Sequence, residues 1–74
     1  MSKNEKLHKL ANAIREYRGA RSEAHGKWIR PPNPAARGRV ERWLGELGLD
    51  VAGSMARIDA FETAGEFQAW VRGI

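Results

Sequence analysis

The sequence predicts an all-α fold, a small single domain of three to four short helices with a long loop, containing proline and glycine, between helix 1 and helix 2. Apolar residues recur at spacings of three and four along most of the chain, which is the period of an amphipathic helix. Residues that typically begin or end helices flank these apolar stripes. No alternating run is long enough to predict a strand, although residues 27–30 could be briefly extended. A chain of 74 residues is expected to form one helical domain over residues 1–74, with a small core.

Helix 1 is predicted to begin after Ser2, because Ser2 and Glu5 have the spacing of a capping box. Gly19 is expected to end this helix. Between these two ends the apolar stripe consists of Leu7, Leu10, Ala11, Ile14 and Tyr17. In residues 19–33 the periodicity disappears, and a glycine and a proline pair make a continuous helix unfavourable. We therefore predict a connecting loop over residues 19–33.

Helix 2 has sequence signals at both of its ends. Asn33 is suited to cap its first turn and Pro34 to occupy the first helical position. Gly48 is suited to a left-handed stop, followed by the apolar Leu49. The apolar stripe between these ends consists of Val40, Trp43, Leu44 and Leu47.

Two more helices are predicted in the C-terminal part. Asp50 is a suitable cap for helix 3, and Thr63 with Glu66 has the spacing of a second capping box, which would begin a short helix 4. Their stripes are Val51, Met55, Ile58 and Phe61, then Phe67, Trp70, Val71 and Ile74. The short connections favour helices that pack back on each other. The predicted core consists of Leu7, Leu10, Ile14, Val40, Trp43, Leu44, Leu47, Met55, Ile58, Phe61, Phe67 and Trp70.

Residue types that carry chemistry are few and scattered. The chain has no cysteine, so we expect neither a disulfide nor a thiolate metal site. His8 and His25 lie far apart in the sequence, with no paired carboxylates at ligand spacing. Ser2 and Thr63 are better explained as helix caps than as nucleophiles, and the glycines form no phosphate-binding pattern. We therefore expect a protein that is not an enzyme and has no metal or cofactor.

The N-terminal segment lacks the apolar run of a signal peptide, and no stretch has the roughly 18 apolar residues that a membrane span needs. These features predict a cytoplasmic protein that does not contact membranes. We also expect a monomer.

The charges divide the chain into a basic and an acidic part. Residues 1–42 carry eleven Lys or Arg against four Glu, a net +7, whereas residues 43–74 carry two Arg against five acids, a net −3. The basic part can attract phosphate or an acidic protein surface. A helix-turn-helix formed by helices 2 and 3 is disfavoured, because Asp50, Asp59 and Glu62 would lie near the DNA phosphates.

The candidate partner-binding residues are the basic side chains in and around the connecting loop and the tryptophan among them. Arginine predominates in this region, and its planar guanidinium suits carboxylate, phosphate and aromatic rings. The set consists of Arg15, Arg18, Lys27, Trp28, Arg30 and Arg37.

Two explanations of the apolar pair Trp28 and Ile29 stay open. Both side chains could cover the core, because a domain this small needs its large apolar groups. Alternatively, Trp28 could be an exposed anchor for a partner. In an extended segment Ile29 could point inwards and Trp28 outwards, since side chains alternate there.

The run WIRPPNP from Trp28 to Pro34, followed by the WL..LGL helix from Trp43 to Leu49, resembles a family of small regulators from lytic bacteriophages. The resemblance covers residues 28–49. It implies a protein partner, host RNA polymerase, and an activity that blocks initiation and acts in antitermination. It implies no role for any individual residue.

We therefore expect a small phage-type regulator that binds host RNA polymerase through a basic surface and inhibits or redirects transcription. Two alternatives stay open from the residues alone. One is a module that binds nucleic acid directly with the arginine-rich patch, and the other is an inhibitor of a bacterial defence complex of the CRISPR type.

Overall fold

The computed structural model describes residues 1–21, 28–30 and 32–74; for Ala64 and for residues 20, 21 and 28–30 the description is confined to the backbone. The fold is all-α, as predicted, with a short β-ribbon in the connection between the first two helices. The elements are α1 (Lys3–Arg18), β1 (Ala20–Arg21), β2 (Trp28–Arg30), α2 (Arg37–Glu46), α3 (Val51–Ala60) and α4 (Ala64–Arg72), with a 3-10 turn at Pro34–Ala36 immediately before α2.

The two ends of α1 lie where the sequence predicts them. The Ser2 hydroxyl accepts a hydrogen bond from the Glu5 backbone N–H at 3.2 Å, which satisfies one of the N–H groups left unpaired in the first turn. Gly19 ends the helix with φ at 83°, a conformation that glycine adopts without a Cβ clash.

The predicted loop over residues 19–33 contains a two-stranded antiparallel ribbon. Ala20 pairs with Arg30 and Arg21 pairs with Trp28, so Ile29 is an extra residue on β2, which forms a β-bulge. Trp28–Arg30 is extended, which is the conformation that residues 27–30 could adopt, and Lys27 lies outside the described residues. The bulge interrupts the regular pairing of the two strands. It therefore also interrupts the strict side-chain alternation on which the possible opposite directions of Trp28 and Ile29 depended.

After the ribbon the chain returns to α1 before it begins α2. The Asn33 backbone N–H lies 3.0 Å from the Glu16 carbonyl oxygen and 3.2 Å from that of Tyr17. The Asn33 side chain then accepts from the Ala35 N–H at 3.1 Å, with Pro34 at the first position of the turn. The predicted cap is confirmed, and it also joins the start of the second helical segment to the last turn of α1.

The end of α2 is a Schellman motif. Gly48 has φ at 74°, its N–H donates to the Gly45 carbonyl at 3.0 Å, and the Leu49 N–H donates to the Leu44 carbonyl at 3.0 Å. Leu44 is buried and Leu49 packs against the same core. This motif satisfies carbonyls that the helix would leave unpaired and directs the chain into α3.

Both predicted caps of the last two helices are confirmed. The Asp50 carboxylate accepts from the Gly53 N–H at 3.1 Å. At α4 the capping box is complete, because Thr63 accepts from the Glu66 N–H while the Glu66 carboxylate accepts from the Glu62 and Thr63 N–H groups. These two backbone donors stabilise the carboxylate and lower the pKa of Glu66 below its usual value.

All four helices contribute to one core. Every predicted core residue belongs to it, although Leu7, Trp43, Leu47, Phe61 and Trp70 are only partly buried. Leu10 and Ile14 of α1 are completely buried. The buried residues are Leu10, Ala13, Ile14, Ala36, Val40, Leu44, Met55, Ile58, Phe67 and Val71.

Gly48→Ala should destabilise the protein by about 1–2 kcal/mol, because an L-residue is strained at this positive φ. A Cβ at Gly48 would meet no atom within 4 Å, so the loss would come from the backbone conformation alone. The matched control is Gly45→Ala, at a helical position with equally open space, which should stabilise the protein by about 0.5–1 kcal/mol. Urea unfolding of the three proteins measures both changes, and equal stabilities would contradict the left-handed cap.

Candidate partner-binding site

The structure brings the backbones of five predicted site residues, Arg15, Arg18, Trp28, Arg30 and Arg37, to one end of the molecule. Arg15 and Arg18 lie in the last turn of α1, and Trp28 and Arg30 lie on β2. Arg37 begins α2, which follows the return of the chain to α1. We call this end, formed by the last turn of α1, the ribbon and the first turn of α2, the basic end. Lys27 and the side chains of Trp28 and Arg30 lie outside the described part of the chain.

Arg18 has a structural role within the basic end. Its Nη1 donates to the carbonyl oxygens of Ile58 at 3.0 Å and Asp59 at 2.5 Å, and its Nη2 donates to the Phe61 carbonyl at 2.6 Å. These carbonyls belong to the C-terminal end of α3, where helical carbonyls have no intrahelical donor. The positive guanidinium also suits the negative end of the helix dipole. Arg18 therefore attaches α1 to α3, and its guanidinium is already engaged within the fold.

Arg37 takes part in a polar cluster that joins three helices. The Tyr17 hydroxyl donates to the Asp59 carboxylate at 2.6 Å, and Arg37 Nη1 donates to the Tyr17 hydroxyl oxygen at 3.1 Å. Arg37 also lies 3.7 Å from Asp59 Oδ2 and 3.7 Å from Glu41 Oε1. The cluster is exposed to solvent, so it is a surface connection between α1, α2 and α3 rather than a buried charge site.

This cluster shifts two pKa values in a consistent way. The hydrogen bond to the Asp59 carboxylate raises the pKa of Tyr17, because ionisation would place a phenolate beside a carboxylate and remove the donor. The hydrogen bond to Tyr17 raises the pKa of Arg37, which stays protonated at any physiological pH. Tyr17 is therefore a neutral donor in the folded protein.

Two further arginines of the basic part also have partners within the fold. Arg39 forms an ion pair with the Glu16 carboxylate across α1 and α2. The Arg42 guanidinium lies 5.2 Å from the centroid of the Trp43 ring, within range of a cation–π interaction. The Arg39 pair thus uses part of the positive charge of residues 1–42 to join α1 and α2, whereas the Arg42 contact lies within α2.

Arg15 differs from Arg18 and Arg37 because its exposed side chain faces a different surface and does not connect two helices. Among the described residues, Arg15 Nη1 donates a hydrogen bond to the Asn12 side-chain oxygen at 3.3 Å. Arg15 lies at one end of a groove between α1 and α4. The predicted residues therefore occupy one end of the molecule without sharing one binding surface.

The groove has an apolar floor and a polar rim. We call it the α1–α4 groove, and its volume is about 320 Å³. Leu7, Ala11 and Val71 supply the apolar surface. None of its described lining residues carries a carboxylate. Its lining residues are Asn4, Leu7, His8, Ala11, Arg15, Gln68, Val71 and Arg72.

A second groove lies between the end of α3 and α4. Phe61 and Trp70 form a tilted aromatic pair there, with ring centroids 5.9 Å apart. Its charged lining residues are Arg57 and Glu66, which have opposite signs. The charges of this groove therefore do not indicate whether an acidic or a basic partner would bind there.

Other kinds of site find no support in the described residues. Within residues 1–21, 28–30 and 32–74, no group of three His, Cys, Asp or Glu side chains is placed to hold a metal ion. No helix in the described part of the chain combines the length and apolarity needed to cross a membrane.

Of the eight lining residues of the α1–α4 groove, seven, including His8, Gln68 and Arg72, were not among the predicted site residues, and Arg15 was. Asn4, Leu7, Ala11 and Arg15 follow one helical face, and this spacing was the only signal in the sequence. It could not indicate which helix lies opposite. Comparison of the chain with protein-family models, with curated proteins and with solved structures found no match. Any function assigned to the chain therefore rests on its own residues.

Arg18→Ala should lower the free energy of unfolding by about 1–3 kcal/mol, because three carbonyls at the end of α3 lose a charged donor. Arg15→Ala, the matched control in the same turn of α1, should change it by no more than about 0.5 kcal/mol, since that side chain is exposed. Urea unfolding monitored by circular dichroism compares the two. Equal losses would show that Arg18 is not a structural residue.

The Tyr17 hydrogen bond should make stability fall at alkaline pH. The pKa of Tyr17 is raised in the folded state, so its stabilising contribution is complete below the unfolded value of 10.0 and is lost as pH rises through the folded pKa. Tyr17→Phe lacks this titration, so its stability should decrease less than that of the wild type above about pH 10. Urea unfolding across alkaline pH tests the difference. Absorbance titration of the single tyrosine provides a direct check, and an unshifted pKa would contradict the cluster.

Proposed function

We propose that this chain is a small regulatory protein that binds bacterial RNA polymerase through its basic end and inhibits or redirects transcription. The observation that supports a binding surface is the convergence of Trp28, Arg30 and Arg37 on one end of the fold. A short ribbon at this end carries Trp28 and Arg30, and tryptophan and arginine are the residues most enriched among those that dominate binding energy. The resemblance of residues 28–49 to phage regulators supports the choice of partner.

A protein surface suits the basic end better than a nucleic-acid backbone does. Glu16, Glu41 and Asp59 lie among its arginines, where they pair with Arg39 and Arg37. These carboxylates reduce the local positive potential and would lie near phosphates in a complex with DNA. A surface of mixed sign can instead pair with both charges of a protein partner, which favours specificity.

The direct test is binding to purified, nuclease-treated bacterial RNA polymerase, followed by transcription from a promoter template. We expect the wild type to bind and to change the amount or length of the transcript. Arg30→Glu should weaken binding by about tenfold or more. Arg72→Glu makes the same charge change in the last turn of α4, beside the start of α1 and away from the basic end, and should leave binding within about twofold, since rim and distant charges contribute little.

Trp28→Ala adds a second variant at the same end. If Trp28 is an anchor, this variant should melt like the wild type and bind the polymerase less tightly. If it melts without cooperativity, Trp28 belongs to the core and Arg30→Glu alone tests the surface. Absence of binding by the folded wild type would refute the proposal. Tight binding to free duplex DNA, with a log–log salt slope of about −0.9 for each phosphate neutralised, would show a nucleic-acid-binding module instead.

A further inference from the structure

The α1–α4 groove is a second candidate surface, independent of the polymerase proposal. Its α1 wall follows one helical face from Asn4 to Arg15, and its α4 wall consists of Gln68, Val71 and Arg72. These positions recur at spacings of three and four, so each wall is a continuous stripe. A stretch from residue 4 to residue 15 of a helix is about 16 Å long, or about three turns.

The groove combines apolar contact with positive charge. Leu7 and Ala11 are half-buried, and Val71 is 8% exposed, so an occupant could cover apolar surface there. Arg15 and Arg72 are exposed on its rim. Neither forms an ion pair among the described residues, whereas Arg37 and Arg39 do. Both guanidinium groups can therefore bind a carboxylate of a partner without breaking an ion pair within the described part of the fold.

The two arginines lie towards opposite ends of the groove. Lys3 Nζ donates to the Ile74 carbonyl oxygen at 2.7 Å, which places the end of α4 beside the start of α1. Arg72 is two residues from Ile74 and so lies towards that end. Arg15 is in the last turn of α1. Carboxylates that contact both must be separated by about two to three helical turns.

We propose that the α1–α4 groove binds an acidic amphipathic helix of a partner protein, about three turns long, with apolar residues on one face and carboxylates flanking them. A helix is the element whose apolar stripe fits an elongated groove. Charge complementarity selects an acidic helix, because the rim provides Arg15 and Arg72 and none of the described lining residues carries a carboxylate. The amide side chains of Asn4 and Gln68 supply further hydrogen-bonding groups.

The test uses a designed, fluorescently labelled helical peptide of about 14 residues, with leucines at spacings of three and four and glutamates on either side of them. Anisotropy titration with the full chain should show saturable binding. Arg15→Glu and Arg72→Glu should each weaken it by about tenfold or more. Arg57→Glu, which changes the net charge equally, should leave affinity within about twofold. Circular dichroism should show that all three variants are folded, because the three side chains are exposed.

Three control ligands define the specificity. A peptide with lysine in place of glutamate should not bind, and neither should a peptide of the original composition whose leucines are spread around the helix. A DNA duplex should not compete for the groove. Failure of the acidic peptide to bind, or binding that neither groove variant weakens, would overturn the proposal. Competition by the duplex would overturn the proposal in favour of nucleic acid as the ligand. Self-association that Arg72→Glu abolishes would overturn it in favour of a second copy of this chain.

The two proposals can fail separately. Arg72 lies only in the groove and Arg30 lies only at the basic end. An Arg72→Glu variant that loses the peptide and retains the polymerase would therefore support two distinct surfaces.

Discussion

The packing of α1 against α2 and α4 is the constraint on which the rest of the structure depends. Leu10 and Ile14 are completely buried, and each completely buried side chain of this size contributes about 1.5–3 kcal/mol. In a chain of 74 residues without cysteine, no disulfide can replace that contribution. The core therefore depends on the packing of α1 with α2 and α4 and of α2 with α3, and polar contacts at the surface join α1 to α3.

Arginine has two kinds of role in this small protein. Arg18, Arg37 and Arg39 connect helices through carbonyl or carboxylate oxygens, whereas Arg15 and Arg72 have no carboxylate partner among the described residues. The first group adds cross-links that a small apolar core benefits from. The second group retains charge for a ligand. An arginine-rich composition therefore does not by itself measure the size of a binding surface.

The helices and their ends could be predicted because their determinants are local. Ser2, Asn33, Asp50 and Thr63 each accept a hydrogen bond from an N–H two or three residues further on, so residue identity and spacing were sufficient. The glycine stops at α1 and α2 were predictable for the same reason.

The candidate site was predicted less completely because its determinants are distant in sequence. The Arg18 contacts join residues 40 to 43 positions apart, and no spacing rule identifies them. The bulge at Ile29 depends on the pairing of two strands whose register the sequence does not show. The groove depends on which faces of α1 and α4 approach each other. The sequence could thus assign the basic residues to a region. Which of them stabilise the fold and which are available to a partner could be decided only from the structure.

The contact between Lys3 and Ile74 has a consequence for the order of folding during synthesis. The hydrogen bond joins residues 71 positions apart, and α4 supplies Phe67 and Val71 to the same core as Leu10. While the ribosome still covers α4, the nascent chain lacks one side of its core and exposes the apolar stripe of α1. The complete core can therefore form only after α4 has been synthesised and has packed against α1.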